Sequence, residues 1–230
     1  MIFSSIPFLY YFLPVVLLLY FLVPKRLKNL VLLLSSLFFY GWGEPIYVFL
    51  MVLCVFLNYL CGLSIDSFEG KRRKVALSLG LVVNLAILGT FKYADFFVQT
   101  LCDLGLNIPL PNIALPIGIS FYTFQSISYL IDVYRKQSPA QRHFGNLLLY
   151  ISMFPQLVAD PIVRYGTVAE EIHNRSVCIK DFSDGAFRFL IGLGKKVILA
   201  NQFSEIADQF LADGLGSLSM SGAWIGVLAF

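Results

Sequence analysis

The stretch Pro116-Ile-Gly-Ile-Ser-Phe-Tyr-Thr-Phe-Gln-Ser-Ile-Ser-Tyr-Leu-Ile-Asp-Val-Tyr-Arg135 is long enough and apolar enough to cross a bilayer as a helix. It nevertheless carries many polar side chains. At about 100° per residue, one side of such a helix carries Gly118, Tyr122, Gln125, Ser128, Tyr129 and Asp132, which we call the polar stripe. Because polar groups are costly against lipid, we expect the polar stripe to face protein or a water-filled cavity.

The composition is that of an integral membrane protein. Of 230 residues, 58% are hydrophobic and 13% are charged, whereas soluble domains carry roughly 25% charged residues. The mean hydropathy is +0.76. A net charge of +3 is small and predicts no nucleic-acid partner. The four cysteines lack metal-ligand spacing, so the sequence predicts no metal site.

Five apolar stretches are predicted membrane segments, at residues 6–23, 30–42, 46–65, 75–91 and 116–133. The second is short, at about 20 Å if helical, against a hydrocarbon core of ~30 Å. Basic clusters follow the first, third and fifth stretches, within residues 25–28, 71–74 and 135–142. By the positive-inside rule these loops are cytoplasmic, which places the N-terminus outside. Residues 95–112 are predicted to form an interfacial helix and an external loop.

Residues 147–162 are apolar but contain Pro155 and Pro161, which disfavour a continuous spanning helix. They predict a re-entrant or broken helix, which is tolerated where it is buried in protein or lines a cavity. Residues 167–184 are the most polar stretch and predict a cytoplasmic loop or surface helix. Asp184 is predicted to cap a helix over residues 185–201. The apolar run at 223–230 is shorter than the roughly 20 residues needed to span, so we expect the N-terminal part of a longer protein.

Two groups of polar residues have alternative interpretations. Asp132 and Arg135, three residues apart, form either an ion pair that anchors the helix end or a polar group facing a cavity. Gln156, Asp160 and Arg164 follow at four-residue steps. They form either a structural helix cap, with proline after Asp160 at the first helical position, or the polar wall of a re-entrant segment that contacts substrate.

The two histidines, His143 and His173, lie in polar stretches. Neither has a Cys, Ser or Asp neighbour at catalytic or metal-binding spacing. We therefore expect both to be solvated and assign neither a catalytic role.

Residues 115–135 and the segment Phe154-Pro-Gln-Leu-Val-Ala-Asp-Pro-Ile-Val-Arg-Tyr165 resemble two signatures of the membrane-bound O-acyltransferase (MBOAT) family. The resemblance is to its bacterial branch of alginate O-acetyltransferase and the teichoic-acid D-alanylation protein. Three further segments also fit: Phe3-Ser-Ser-Ile-Pro-Phe-Leu, Phe39-Tyr-Gly-Trp-Gly-Glu-Pro, and Phe187 to Asn201. One departure is Asp160, which stands where the second signature has glycine.

This resemblance implies an all-α, polytopic transmembrane protein with a re-entrant or broken helix and interfacial helices. Residues 1–230 would be the N-terminal part of a single MBOAT membrane domain, hence a truncated MBOAT fold. The family uses an acyl donor on the cytoplasmic side, acyl-CoA or an acyl-carrier thioester, binds no cofactor, and delivers the acyl group outward through a tunnel. Candidate tunnel residues are Gly118, Tyr122, Gln125, Ser128, Asp132, Arg135, Gln156, Asp160 and Arg164.

The function implied is that of an O-acyltransferase of the bacterial inner membrane, acting on an exported polysaccharide such as alginate, with acetyl as the expected acyl group. An exported acetyltransferase is the expected partner. The family's catalytic histidine lies further along the chain than these residues, so the 230 residues alone are expected to be inactive. Two other functions fit the residues: a non-catalytic scaffold or remnant, and a transporter, since broken helices with polar faces also occur in transporters.

Overall fold

The structure is a computed structural model that describes residues 3–104, 109, 113–157, 163–173, 175, 178–211 and 220–229. All regular elements in these ranges are helical, which confirms the all-α prediction. The α-helices are α1 (Leu13–Leu22), α2 (Lys28–Gly43), α3 (Tyr47–Ser67), α4 (Gly70–Asp103), α5 (Ile119–Tyr134), α6 (Phe144–Ser152), α7 (Phe154–Leu157), α8 (Tyr165–His173), α9 (Ile179–Gly194), α10 (Asn201–Leu211) and α11 (Met220–Ala229).

Three short helical segments of other geometry join these helices. A π-helical segment, Pro7–Phe12, precedes α1, and another, Lys195–Ala200, joins α9 to α10. A 3₁₀ turn, Lys25–Leu27, leads into α2. Pro14 lies at the start of α1. Because proline has no N–H and its ring collides with the carbonyl four residues earlier, it favours the wider turn seen there.

The chain divides into two compact units. The first comprises Phe12–Arg175 and the second Ile2–Tyr11 with Ser176–Phe230. In the second, α10 packs against α11. Ala207 on α10 and Gly222 and Gly226 on α11 are buried, so small residues let these two backbones approach closely.

The centre of the first unit is α5, which packs against α3, α4, α6 and α8. Two glycines explain how closely α5 approaches its neighbours. A Cβ atom at Gly62 of α3 would lie 2.7 Å from the Tyr129 hydroxyl, and one at Gly80 of α4 would lie 2.6 Å from Leu130 Cδ1. A side chain at either glycine would therefore displace Tyr129 or Leu130, both of which are fully buried.

Helices α3 and α4 are joined by a buried pair of amides. Asn58 Nδ2 donates to Asn84 Oδ1 at 3.0 Å, and Asn84 Nδ2 donates to Asn58 Oδ1 at 2.7 Å. The second amide hydrogen of each asparagine bonds to the carbonyl four residues earlier, Cys54 for Asn58 and Gly80 for Asn84. Buried amides paired in this way fix the register of two apolar helices.

Two predicted boundaries differ from the structure in this unit. The predicted segments 75–91 and 95–112 are not separate helices. A single helix of 34 residues, α4, runs through the first segment and into the second, as far as Asp103. Residues 92–103 contain neither glycine nor proline, so the hydrogen-bond ladder continues past Lys92 and Asp95. Helix α5 begins at Ile119 and has 16 residues, about 24 Å against a ~30 Å core.

A third difference concerns the start of α9. The helix begins at Ile179, and its N-cap is Cys178, whose sulfur accepts from the Asp181 N–H while Asp181 Oδ2 accepts from the Cys178 N–H. Asp184, the predicted cap, lies inside α9. Hydrogen bonding of the Asp181 carboxyl to the Cys178 side chain and to the Cys178 backbone N–H holds the pKa of that carboxyl below its ordinary value.

Candidate functional site around α5

The polar stripe lies on the buried face of α5. Tyr122 and Tyr129 are fully buried, and Gln125 and Asp132 are 4% and 7% exposed. Ser128 is half-buried. In this structure the stripe therefore faces other helices of the same unit, as the cost of polar groups against lipid requires.

The most informative feature beside the stripe is a break between α6 and α7. Met153 has φ −54° and ψ 116°, which ends α6. In an unbroken helix the Tyr150 carbonyl would accept from the Phe154 N–H. Here that N–H donates instead to Ser36 Oγ of α2, at 3.2 Å.

The Tyr150 carbonyl receives two side-chain donors in place of the lost bond. Gln125 Nε2 donates to it at 3.1 Å, and Gln156 Nε2 donates to it at 2.5 Å. The break thus brings together two predicted candidates, one from each signature stretch. Both satisfy a backbone acceptor that would otherwise be buried without a partner.

Three tyrosines pack beside this break. The Tyr165 ring makes edge-to-face contacts with Tyr129 and Tyr150, with centroids 5.1 and 5.2 Å away. Gln141 joins them, because its backbone N–H donates to the Tyr129 hydroxyl at 3.0 Å and its Nε2 to the Tyr165 hydroxyl at 2.7 Å. The Tyr150 hydroxyl donates to the Val163 carbonyl at 2.6 Å. Burial raises the pKa of the Tyr165 hydroxyl, so it stays neutral.

Two buried hydroxyls have no hydrogen-bond partner among the described residues. They are the hydroxyls of Tyr122, on the stripe, and of Ser152, the last residue of α6. Both residues are fully buried. Buried polar atoms are almost always hydrogen-bonded, so each of these two is a candidate to bind a group from outside the chain.

The remaining predicted candidates lie at the edges of this region. Gly118 is the N-cap of α5 with φ +77°, and a Cβ atom there would lie 3.2 Å from the Leu157 carbonyl oxygen. Gln156 is half-buried, and Arg135 and Arg164 are exposed. Asp160 lies outside the described residues.

Of the two alternatives for Asp132 and Arg135, the anchoring ion pair is not formed between these two described residues. Asp132 is buried and Arg135 is exposed, and the ion pair found among the described residues joins Arg142 to Asp66 at 2.9 Å. Instead, Arg73 of α4 donates to the last two carbonyls of α5, those of Val133 and Tyr134, at 2.9 and 2.8 Å. A cation at the C-terminus of a helix also interacts favourably with the helix dipole.

Two cavities lined by described residues lie away from the polar stripe. One, of about 350 Å³, opens between α3 and α4 and is lined by apolar atoms of residues such as Phe68 and Leu79. The other, of about 360 Å³, is basic and lies at the start of α2. No cluster of three or more His, Cys, Asp or Glu residues suited to a metal occurs within the described residues.

Sequence reasoning missed several residues that the structure places beside the stripe or the helix break, namely Gln141, Tyr150, Ser152 and Tyr165. For Tyr150 and Ser152, the available signal was a polar group within an apolar segment. Their partners depend on the break at Met153, which periodicity does not reveal.

Comparison with known proteins provides evidence of a different kind, from sequence identity. The "Probable alginate O-acetylase AlgI" of Pseudomonas syringae pv. tomato is 41% identical over 238 aligned residues, covering 100% of this chain and 45% of the relative. The protein of the same name from Pseudomonas aeruginosa is 40% identical, with the same coverage. Over its whole length the chain is similar to proteins named for alginate O-acetylation.

A more distant relative carries a different name. The "Peptidoglycan O-acetyltransferase" of Helicobacter pylori is 33% identical over 264 aligned residues, covering 100% of this chain and 50% of the relative. No family model and no solved structure matches the chain. The predicted resemblance to the alginate O-acetylation branch is confirmed, and the chain spans about half the length of the relatives it matches.

Proposed function

We propose that these residues are part of a membrane-bound O-acyltransferase that transfers acetyl groups to hydroxyls of an exported polysaccharide. The observation that carries the proposal is similarity over the whole chain to proteins named for O-acetylation of two different polymers, alginate and peptidoglycan. The chemistry shared by those names is formation of an acetyl ester on a polysaccharide. The acceptor polymer differs between them, and alginate is the one suggested by the higher identity.

A position in the bacterial inner membrane, with several spans, is part of the proposal. Two described helices, α3 and α4, are long and apolar enough to cross a bilayer. Large apolar side chains are exposed on these helices, for example Phe49 at 77% and Val82 at 62%. Such surfaces favour contact with lipid. The basic loops at 25–28 and 71–74 support a cytoplasmic side and an N-terminus outside.

Topology reporters test this placement. Alkaline phosphatase, which is active outside, and green fluorescent protein, which is fluorescent inside, would be fused after residues 27, 44, 72 and 114. We expect fluorescence at 27 and 72 and phosphatase activity at 44 and 114. The opposite pattern, or fluorescence at all four sites in soluble extracts, would refute the proposed orientation.

The polar stripe and the helix break form one wall of the proposed acyl path. Gln125 and Gln156 hold the broken backbone in place, and the unpartnered hydroxyls of Tyr122 and Ser152 are the groups available to donate to an acyl carbonyl. Such a donor stabilises charge that develops on a carbonyl oxygen during acyl transfer. The donor is proposed to be acyl-CoA or an acyl-carrier thioester, and an exported acetyltransferase is the proposed partner.

A Tyr122→Phe variant separates a role in transfer from a role in folding. It removes a hydroxyl that has no partner among the described residues, so stability should be unchanged or slightly higher. Loss of one hydrogen bond to the reacting group should lower transfer about tenfold or more. Tyr150→Phe is the matched control, because the Tyr150 hydroxyl donates to the Val163 carbonyl and its loss should lower stability.

We assign no general base to these 230 residues. His143 is exposed in the loop before α6, and the side chain of His173, at the end of α8, is outside the described atoms. Removal of the proton from an acceptor hydroxyl needs a base within hydrogen-bond reach. We therefore expect the chain by itself to acetylate nothing.

The decisive experiment is a chimera. In a Pseudomonas strain that lacks its alginate O-acetylase, the aligned half of that protein would be replaced by residues 1–230. Acetyl ester content of the secreted alginate would be measured by infrared and nuclear magnetic resonance spectroscopy. We expect acetylation with the chimera and none with the 230 residues alone.

A chimera that accumulates in the membrane at normal levels but leaves the alginate unacetylated would overturn the assignment to alginate. The same strain should then be assayed for acetyl groups on peptidoglycan. Absence of both esters would refute the proposed activity.

A further inference from the structure

A basic cleft at the start of α2 stands apart from the polar stripe. It is lined by residues of three segments: Tyr20 near the end of α1, four residues at and after the 3₁₀ turn (Lys25, Arg26, Lys28 and Asn29), and Ile172 near the end of α8 with Arg175 after it. Its volume is about 360 Å³, within the range of ~300–1,000 Å³ typical of small-ligand sites.

The cleft is strongly positive. Lys25, Arg26, Lys28 and Arg175 line it, and no Asp or Glu is among its lining residues. None of these four forms an ion pair within the described part of the chain. Four cations around one small volume repel one another, so an anion bound there would gain from all four.

The cleft is also preorganised by a residue from far along the chain. Arg175 donates to the Tyr20 hydroxyl at 3.1 Å and to Asn29 Oδ1 at 3.0 Å. Asn29 Nδ2 donates to the Ile172 carbonyl at 2.9 Å, and Lys28 Nζ lies 4.6 Å from the centre of the Tyr20 ring. These contacts fix Arg175 and Lys28 without neutralising them, which reduces the ordering cost of binding.

The start of α2 adds to the positive electrostatic potential of the cleft. Its N-cap, Leu27, provides no side-chain cap, and its first turn contains no acidic residue. Backbone N–H groups at a helix N-terminus attract anions. Lys25 and Arg26 are exposed, so their charged ends remain accessible to a ligand.

We propose that the basic cleft binds a phosphate-bearing ligand. Phosphate oxygens accept several charge-assisted hydrogen bonds at once, and arginine with lysine is the set of side chains that suits them. Two sources supply this chemistry: the headgroup of an anionic phospholipid, or the phosphates of a soluble compound such as coenzyme A. The coenzyme A alternative rests on the proposed function, whereas the lipid alternative holds whether or not the chain takes part in acyl transfer.

The test uses the 230-residue chain in neutral detergent micelles. Binding of phosphatidylglycerol, with phosphatidylcholine as the uncharged reference, would be counted by native mass spectrometry. Binding of coenzyme A would be measured by isothermal titration calorimetry. The double variant Lys25→Gln/Arg26→Gln is compared with Lys71→Gln/Arg72→Gln, which removes one lysine and one arginine from another short basic segment.

At ~1 kcal/mol for each basic residue near an anionic group, the cleft variant should bind about 30-fold more weakly. The control should stay within about twofold of the wild type. A selective loss of phosphatidylglycerol binding identifies a lipid headgroup, and a selective loss of coenzyme A binding identifies a soluble phosphate.

Equal losses in the two double variants would overturn the proposal, because they would show attraction to net charge alone. Absence of binding of both ligands to the wild type would also overturn it. If the double variant does not fold, Arg26→Gln is compared with Arg72→Gln, and the same differences are required. Because acetylation is not measured, these results do not depend on the outcome of the chimera experiment.

Discussion

Replacing Gln125 and Gln156 by methionine tests how the helix break is stabilised. Methionine is close to glutamine in length and volume, so each change removes an amide donor without opening a large cavity. Both glutamines donate to the Tyr150 carbonyl, at 3.1 and 2.5 Å. That carbonyl has two lone pairs, and the N–H that would serve it in a continuous helix is bonded to Ser36.

The expected losses of unfolding free energy follow from the number of donors that each variant leaves on the Tyr150 carbonyl. Either single variant leaves one donor on the carbonyl and should cost about 1 kcal/mol of unfolding free energy, the net value of one hydrogen bond. The double variant leaves a buried carbonyl with neither side-chain donor. The added desolvation cost should bring the total to about 3 kcal/mol, so the coupling energy is about 1 kcal/mol.

Unfolding of the chain in mixed micelles would be followed by far-ultraviolet circular dichroism as the fraction of denaturing detergent rises. Gln99→Met is the matched control, because Gln99 is exposed and bonds to Asp103 at 3.2 Å within the same helix. It should change stability by less than about 0.5 kcal/mol. If the double variant equals the sum of the singles within ~0.3 kcal/mol, the two glutamines do not share one acceptor and the reasoning fails.

Three further changes have defined outcomes. Gly118→Ala, at φ +77° and 3.2 Å from a carbonyl oxygen, should lower the unfolding free energy by about 1–2 kcal/mol, measured in the same assay. Asn58→Leu or Asn84→Leu alone should cost about 1–3 kcal/mol by leaving a buried amide unpaired, whereas the double variant should recover much of that loss. Asp181→Asn should raise the hydrogen-exchange rate of the first turn of α9, and Asp184→Asn should not. The folded pKa of Asp181 lies below the unfolded value of about 3.9, so its contribution is present above that value and is lost as pH falls through the folded pKa.

Each of these changes has a control or a contrary outcome. Gly145 lies in α6, and a Cβ atom added there would meet no neighbouring atom within 4 Å, so Gly145→Ala should be neutral or stabilising. Equal effects at both glycines would contradict the role of backbone conformation at the start of α5. Additive losses in the two asparagine variants would show that their amides are not paired. Faster hydrogen exchange in Asp184→Asn than in Asp181→Asn would support Asp184 as the N-cap, as predicted from the sequence.

The face of α5 was predictable, but its partners were not. Spacing places Tyr122, Gln125 and Asp132 on one side, and the structure buries all three. The acceptor for Gln125 exists only because α6 ends at Ser152, and Gln125 and Tyr150 lie 25 residues from each other along the chain. Periodicity identifies which side of a helix is polar and carries no information about the group that faces it.

The sequence rule for helix N-caps also failed at α9, because an uncommon cap residue begins this helix. Cysteine is not among the preferred N-cap residues, so Asp184 was the stronger sequence signal for the start of α9. The structure shows Cys178 with Asp181 in that role. The basic residues at 25–28 were interpreted as a topology signal, and the contact of the adjoining Asn29 with Arg175 was not foreseeable, because 146 residues separate the two.

The bond between the Phe154 N–H and Ser36 has a consequence for synthesis of the protein. The two residues are 118 positions apart, and at ~5–20 residues per second the ribosome needs roughly 6 to 24 s to make the intervening chain. For that interval α2 is complete, whereas the segment that will pack against it has not been made. The nascent α2 must therefore be covered by lipid or by another protein until α6 and α7 emerge.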